Sequence, residues 1–317
     1  MADDRLPDEF ALIRRYFVPL ATHPGAVGLG DDVALLAPSP GTVHVLKTDT
    51  IIEGVHYLPD DPADLVARKL LRVNLSDLAA KGARPVGYLL AASFSRETRE
   101  SWLAAFASGL AADQATFGMS LLGGDTTATP GPTTLSVTAI GEAVAAKVPR
   151  RGGAKPGDDI FVTGTLGDAA LGLRVLKGDL KVQGSEMLAR RFRLPEPHLA
   201  LGAEIAGLAT ASIDVSDGLV ADLGHICEES GVGAEVDRDT LPLSPPARAA
   251  VAADPVLWTD IVAGGDDYEI LFTARPGAVA GLAGVTRIGR IVAGGGVSLR
   301  DAAGRPVEVG ATGYRHF

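Results

Sequence analysis

Leu121-Leu122-Gly123-Gly124-Asp125-Thr126-Thr127 runs from two apolar residues into two glycines and an acid, and Thr133 to Ile140 then reads as a strand. The same tripeptide returns as Gly264-Gly265-Asp266, ahead of a strand from Glu269 to Thr273. Each is followed by an Ile-Gly pair, Ile140-Gly141 and Ile288-Gly289. Two related halves account for this recurrence, and so does chance. Between them, Arg150-Arg151-Gly152-Gly153-Ala154-Lys155-Pro156-Gly157 is rich in structure breakers, which puts a domain boundary there. A length of 317 residues agrees with about two domains.

The rest of the chain alternates strands and helices. Phe10, Ile13 and Phe17, with Leu12, Tyr16 and Leu20, recur at helical spacing over 8–20. A Gly-rich turn follows at Gly28-Leu29-Gly30-Asp31-Asp32. Val43 to Asp49 reads as a strand ending in polar residues. Asp61 and Pro62 start a helix and Gly82 with Pro85 ends it. Its stripes are Leu71, Leu75, Leu78 and Val66, Leu70, Val73, Asp77. A strand over 86–93 and a helix over 98–117 come next. Ile160 to Gly164 is a strand and turn. Ser212 to Ser216 is another strand, and Asp217-Gly218 opens a helix carrying Leu219, Leu223, Ile226 and Cys227 on one face.

Composition excludes several functions. Lys plus Arg is 29 against 39 for Asp plus Glu, a net charge of −10, which argues against nonspecific nucleic-acid binding. A single cysteine excludes an internal disulfide and a Cys-based metal cage. No apolar run approaches the roughly 18 residues of a membrane span. Met1-Ala2-Asp3-Asp4 does not read as a secretory signal, so a cytoplasmic protein is expected. There is no Gly-Lys dipeptide, hence no Walker A loop, and no kinase His-Arg-Asp or Asp-Phe-Gly.

What the chain has is acids beside Gly, Ser and Thr: Asp31, Asp32, Asp49, Asp77, Asp125, Asp214, Asp217, Asp266 and Asp267, read as lying at turns and strand ends. Hard divalent cations take such oxygen ligands, and neighbouring glycines let backbone N–H groups approach an anion. The set reads as a metal–phosphate site, although any one Asp serves equally as a turn former or cap. Asp77 stands on an apolar stripe, where an unpaired acid is costly. Arg68, Lys69, Arg72 and Lys81 are the nearby cations able to pair with it. In Ser212-Ile213-Asp214-Val215-Ser216, the alternation sets Asp214 and Ser216 on one face, either functional or simply wet. Arg151-Gly152-Gly153 offers a guanidinium and backbone amides to a phosphate, or is a solvated linker.

In order, Gly28-Leu29-Gly30-Asp31-Asp32-Val33-Ala34, Thr48-Asp49-Thr50 with His56, Val73-Asn74-Leu75-Ser76-Asp77-Leu78, Gly123-Gly124-Asp125-Thr126-Thr127, Gly153-Ala154-Lys155-Pro156-Gly157-Asp158, Ile213-Asp214-Val215-Ser216-Asp217-Gly218, Gly264-Gly265-Asp266-Asp267-Tyr268-Glu269 and Gly313-Tyr314-Arg315-His316-Phe317 resemble the thiamine-monophosphate kinase family. That family lies within the superfamily named for aminoimidazole ribonucleotide synthetase. The resemblance implies an α+β fold of two α/β domains. Residues 1–148 would form an ATP- and Mg-binding domain that pairs into a sheet barrel across a homodimer, and 149–317 a C-terminal α/β domain. It implies phosphorylation of thiamine phosphate to thiamine diphosphate by ATP, with several Mg²⁺ ions and active sites between the N-terminal domains of two copies. Asp32, Thr48, Asp49, Asp77, Asp125 and Asp214 would bind Mg²⁺, with Asp217 a further candidate. Gly124, Asp125, Arg151 and Ser216 would contact ATP; His56 and Asp266 would contact thiamine phosphate. The chain departs from the family at Lys47, where Ser is common, at Asp266, where Glu is common, and at Ala311 and Thr312, where an aromatic is common. The first loses a metal ligand or replaces it with a fixed charge; the last leaves Tyr314 as the substitute for ring stacking. Another ATP-dependent enzyme of the superfamily and a non-catalytic Mg–ATP sensor are the alternatives.

Overall fold

The computed structural model describes Asp4, residues 6–308, Gly313 and Tyr314. Ala311, Thr312 and the terminal Arg315-His316-Phe317 lie outside the described residues. The chain divides into two compact units, Met1–Leu78 with Arg84–Ala145, and Ala79–Ala83 with Ala146–Phe317. Among the described residues, no helix is long and apolar enough to cross a membrane.

The first unit contains α1 (Glu9–Leu12), β1 (Val43–Ile52), α2 (Ala63–Ala80, its last two residues in the second unit), β2 (Arg84–Ser95), α3 (Glu100–Phe117), β3 (Ser120–Thr129) and β4 (Thr134–Ala143). Its sheet runs β1-β4-β2-β3; β2 and β3 are parallel and the other pairs antiparallel. The helix expected over 8–20 is not regular. After α1 the chain passes through a π-helical turn, Ile13–Phe17, and a 3₁₀ turn, Val18–Leu20. Pro19 has no N–H to give and crowds the preceding turn. The buried residues are therefore Leu12, Phe17 and Leu20, while Phe10 is 66 % exposed. α2 is buried on nearly every side rather than along a stripe, and Asp64, Leu65, Arg68 and Asp77 are its half-buried exceptions.

The two Gly-Gly-Asp tripeptides share no local conformation, so the recurrence carries no structural repeat. Gly123-Gly124-Asp125 lies inside β3, not in a turn. A bulge at Leu122 shifts the β2–β3 register from Tyr88↔Leu121 to Leu89↔Gly123. A Cβ on Gly124 would stand 1.8 Å from the Leu90 carbonyl oxygen, so only glycine admits this approach. Asp49, too, is inside its strand, because β1 continues to Ile52.

The second unit contains β5 (Asp159–Thr163), α4 (Asp168–Leu176), α5 (Ser185–Arg193), α6 (Leu199–Ile205), β6 (Ala209–Asp214), α7 (Leu219–Ser230), β7 (Gly233–Asp237), α8 (Pro245–Ala253), α9 (Trp258–Ala263), β8 (Ile270–Ala274), β9 (Val285–Val292), β10 (Gly296–Arg300) and β11 (Pro306–Val307). The sheet order is β11-β10-β7-β9-β5-β8-β6, with β7 and β10 parallel and the other pairs antiparallel. Ile160, Val162, Ile213, Leu219, Leu223, Ile226 and Leu271 form its core, and Cys227 lies buried among them. Burial pushes the Cys227 thiol up to about 11, the behaviour of a packing residue rather than a nucleophile. β6 has no wet face: Ser212, Ile213 and Asp214 are all buried. The Ser212 hydroxyl donates to the Ala80 carbonyl at 2.8 Å.

Candidate active site

In the first unit the acids form two groups. The first surrounds a cavity of about 560 Å³ lined by Asp31 and Asp32 from one loop and by Gly123, Gly124, Asp125 and Thr126 from β3. The loop closes on itself through Leu35 N–H to the Gly25 carbonyl, 2.9 Å. Inside it Val27, Gly28 and Leu29 have φ of 51°, 61° and 55°. Left-handed backbone at a β-branched valine and a leucine is strain, of order 1–3 kcal/mol per residue, and such strain clusters at ligand clamps. The preceding segment is fixed to the sheet by Ser120, whose hydroxyl accepts from Thr22 N and His23 N, both at 3.0 Å. These contacts hold two acids opposite Gly123, Gly124 and Asp125 of β3.

The second group joins β1 to α2. Lys47 Nζ is 3.1 Å from Asp49 Oδ1 and 3.0 Å from Asp77 Oδ2. The partner of Asp77 is thus a residue 30 positions away in sequence, whereas Arg68 and Arg72 turn to Asp113. Asn74 fixes the spacing: its side-chain oxygen accepts from Asp49 N at 3.1 Å while its amide donates to the Leu70 carbonyl. Thr48 projects to the opposite face of β1, as strand alternation requires, and its hydroxyl meets Thr138 on β4 at 2.8 Å. It is not brought to Asp49 and Asp77.

His56 sits in a tight turn after β1. Its Nδ1 accepts from Ile52 N at 3.1 Å, which leaves the ring proton on Nε2 as a donor. The buried Lys69 ammonium donates to the His56 carbonyl at 2.9 Å and anchors the turn on α2.

In the second unit the remaining candidates gather beside β6. Asp266 N donates to the Ser216 carbonyl (2.8 Å), Tyr268 N to the Val215 carbonyl (2.8 Å) and Tyr314 N to the Asp217 carbonyl (3.0 Å). Asp214 is buried at the end of the strand. Ser212 N donates to the Arg150 carbonyl, which brings exposed Arg151 alongside. The amides of Gly153 and Ala154 are engaged by the Ser230 hydroxyl at 3.1 and 3.2 Å. The Gly153 amide beside Arg151 is therefore already paired within the protein.

Two carboxylates of structural importance escaped the sequence reading. Asp222, three residues into α7, accepts from the backbone N–H groups of Ser216, Asp217 and Gly218 at 3.0, 3.0 and 3.1 Å. Burial, with the Asp217 charge added, pushes its carboxyl up to about 7. An acid in the first turn of a helix was the available signal. Glu269 is buried between Arg191 (2.5 Å), His198 (2.6 Å) and the Thr163 hydroxyl (2.6 Å). Burial pushes the Glu269 carboxyl up, but these partners overrule it and hold it below its ordinary value. Burial likewise pulls His198 down, and Glu269 overrules it and holds the imidazole above its ordinary value. Nothing in the sequence brings these groups together.

Asp267 is not a ligand candidate. It is buried and accepts from Gly167 N at 2.7 Å, at the start of α4. Burial raises its carboxyl from 3.8 to about 8. The folded chain therefore keeps a proton that the unfolded chain loses, so this group makes stability fall as pH rises from about 4 to about 8. Asp267→Asn is expected to remove that part of the slope. Urea midpoints of parent and variant at about pH 5 and about pH 8 check it; the same change in both proteins would refute the assignment.

The chain matches the model of the AIR synthase related protein N-terminal domain over residues 30–143 and that of the C-terminal domain over 155–302. It is 43 % identical over 322 residues to the thiamine-monophosphate kinase of Caulobacter vibrioides, covering 98 % of this chain and 91 % of that one. The solved structure of the Stenotrophomonas maltophilia thiamine-monophosphate kinase is 43 % identical, with a TM-score of 0.82 over 92 % of this chain and 96 % of that one. That of AaThiL complexed with AMPPCP and TMP is 31 % identical, with a TM-score of 0.80 over 91 % of each. Both halves of the fold and nearly the whole sequence agree, and the chain belongs to the thiamine-monophosphate kinase family of AIR synthase related proteins.

Proposed function

We propose that the protein transfers the γ-phosphoryl group of ATP to thiamine phosphate, giving thiamine diphosphate and ADP, with Mg²⁺ as cofactor. The observation that carries this reading is the cavity between Asp31-Asp32 and Gly123-Gly124-Asp125, in a chain that matches thiamine-monophosphate kinases over 98 % of its length. The acceptor is a phosphate whose second pKa is near 6, so it is already largely deprotonated at neutral pH. No general base is required. The difficulty is bringing two polyanions together in an acidic protein, and phosphoryl transfer depends mainly on positioning and charge neutralisation.

The donors in both acidic groups are carboxylate oxygens, a set that fits a hard divalent cation. In the first unit Asp32, Asp49, Asp77 and Asp125 are the proposed Mg²⁺ ligands; the Thr48 hydroxyl, turned to Thr138, is left out. In the second unit Asp214 and Asp217 are the candidates. Mg²⁺ held there would neutralise phosphate charge and orient the triphosphate. Gly124 and Asp125 would contact ATP from β3, with Arg151 and Ser216 as the contacts from the second unit. His56, through Nε2–H, and Asp266 would bind thiamine phosphate, with Tyr314 as the aromatic. Transfer is direct and in line, without a phosphoenzyme.

We take residues 1–148 as the nucleotide and dimerisation domain and 149–317 as the C-terminal domain. The edge position of β1, with Val43 41 % and Leu46 65 % exposed, supports pairing of this strand with a second copy into a closed sheet. The reaction belongs in the cytoplasm, where ATP is available.

Phosphorus NMR of the protein with ATP, Mg²⁺ and thiamine phosphate tests the reading. Thiamine diphosphate and ADP are expected. ADP with free phosphate alone would move the acceptor elsewhere in the superfamily, and no turnover would leave a sensor.

A further inference from the structure

Lys47 and Asp49 are two apart on β1, so their side chains emerge on the same face of the strand. Asp77 comes from α2, and the Asn74 bridge holds that helix against the strand. The ammonium lies 3.1 Å from one carboxylate and 3.0 Å from the other. It therefore occupies the place between the two acids that a single shared cation would need.

We propose that Lys47 is a built-in monovalent cation that takes the place of one divalent ion, so that Asp49 and Asp77 share no Mg²⁺ between them. This rests on the metal-dependent reading above and deepens it.

A hard divalent ion binds carboxylate oxygen at about 2.0–2.1 Å. An ion bridging the two carboxylates would lie against an ammonium bonded to both, and the two cations would repel. Each carboxylate has a second oxygen, so Asp49 and Asp77 can still bind metal separately. With Lys47 the trio carries a net charge of −1; without it the two acids carry −2 and draw in a divalent ion. Lys47 is thus a positioning residue. It holds the two acids around one positive charge before any metal or nucleotide arrives, and it lowers the number of ions that must be collected.

The test counts metal. The full-length protein is titrated with Mn²⁺ in the presence of saturating AMPPCP, and free Mn²⁺ is read by electron paramagnetic resonance. Lys47→Ala is expected to bind one more Mn²⁺ per chain than the parent. Lys47→Met, which keeps the stem without the charge, is expected to give the same increase, and Lys47→Arg the parental count. Circular dichroism melts check that each variant is folded. Equal counts in parent, Lys47→Ala and Lys47→Met, with Mn²⁺–AMPPCP bound and thiamine diphosphate formed by the parent, would overturn the inference and leave the functional reading standing. Failure of the parent to bind Mn²⁺–AMPPCP or to turn over would overturn both.

Discussion

Asp49→Asn is expected to lower the rate of thiamine diphosphate formation about 10²–10³-fold, the loss typical of removing one group that stabilises transition-state charge. The substitution keeps the size of the side chain and removes its charge. Asp49 N remains on Asn74, so the β1–α2 spacing persists, and Lys47 retains Asp77. The melting temperature should therefore change little. The carboxylate is partly exposed and surface ion pairs are worth at most about 1 kcal/mol. Initial rates by phosphorus NMR, beside a circular dichroism melt, separate the two effects. A variant with parental rate would remove Asp49 from the metal set and with it the present reading of this corner of the first unit.

The second large effect is on stability. Asp113 of α3 is fully buried and accepts from Arg68 Nε at 2.9 Å, Arg72 Nε at 2.6 Å and Arg72 Nη2 at 3.0 Å. Arg72 is itself 6 % exposed, with its guanidinium 5.2 Å from the centre of the Phe117 ring. Both arginines are on α2, so this carboxylate ties the helix that carries Asp77 to the helix beside it. Asp113→Ala would leave two guanidiniums without their shared anion, one of them buried. Breaking a buried pair in this way costs about 3–5 kcal/mol. Urea unfolding followed by the fluorescence of Trp102, on the same helix, measures it. A loss under about 1 kcal/mol would mean that the arginines find other partners or water.

These two residues mark the limits of what the chain's residue pattern disclosed. Asp49 stood out as a candidate because an acid beside threonines suits a hard cation, although the strand does not end there but runs on to Ile52. Asp113 did not, because its partners Arg68 and Arg72 belong to another helix, 45 and 41 positions away in sequence. Asp125, expected with the other acids at a turn or strand end, lies inside β3 for a related reason. Glycine ordinarily marks a turn, and here it marks a backbone approach between β2 and β3 that no local rule contains. The second Gly-Gly-Asp lies outside any strand, with left-handed Gly265 and Asp266, so identical residues took different conformations.

The alternation of strands and helices, the breaker-rich stretch near 150–157, the acids that stand as cation-ligand candidates, and the family to which their order belongs were all legible in the residue order. Those follow from side-chain periodicity, backbone preference and motif order, which are properties of neighbouring residues. Contacts between distant residues set Lys47 between Asp49 and Asp77, turned Thr48 away, engaged the Gly153 amide with Ser230, and buried Asp222 and Asp267 as acceptors of backbone N–H groups. Each of those depends on which distant groups the fold brings within hydrogen-bonding distance and how much water it removes. Local pattern fixes neither, because charge pairing and desolvation act through space.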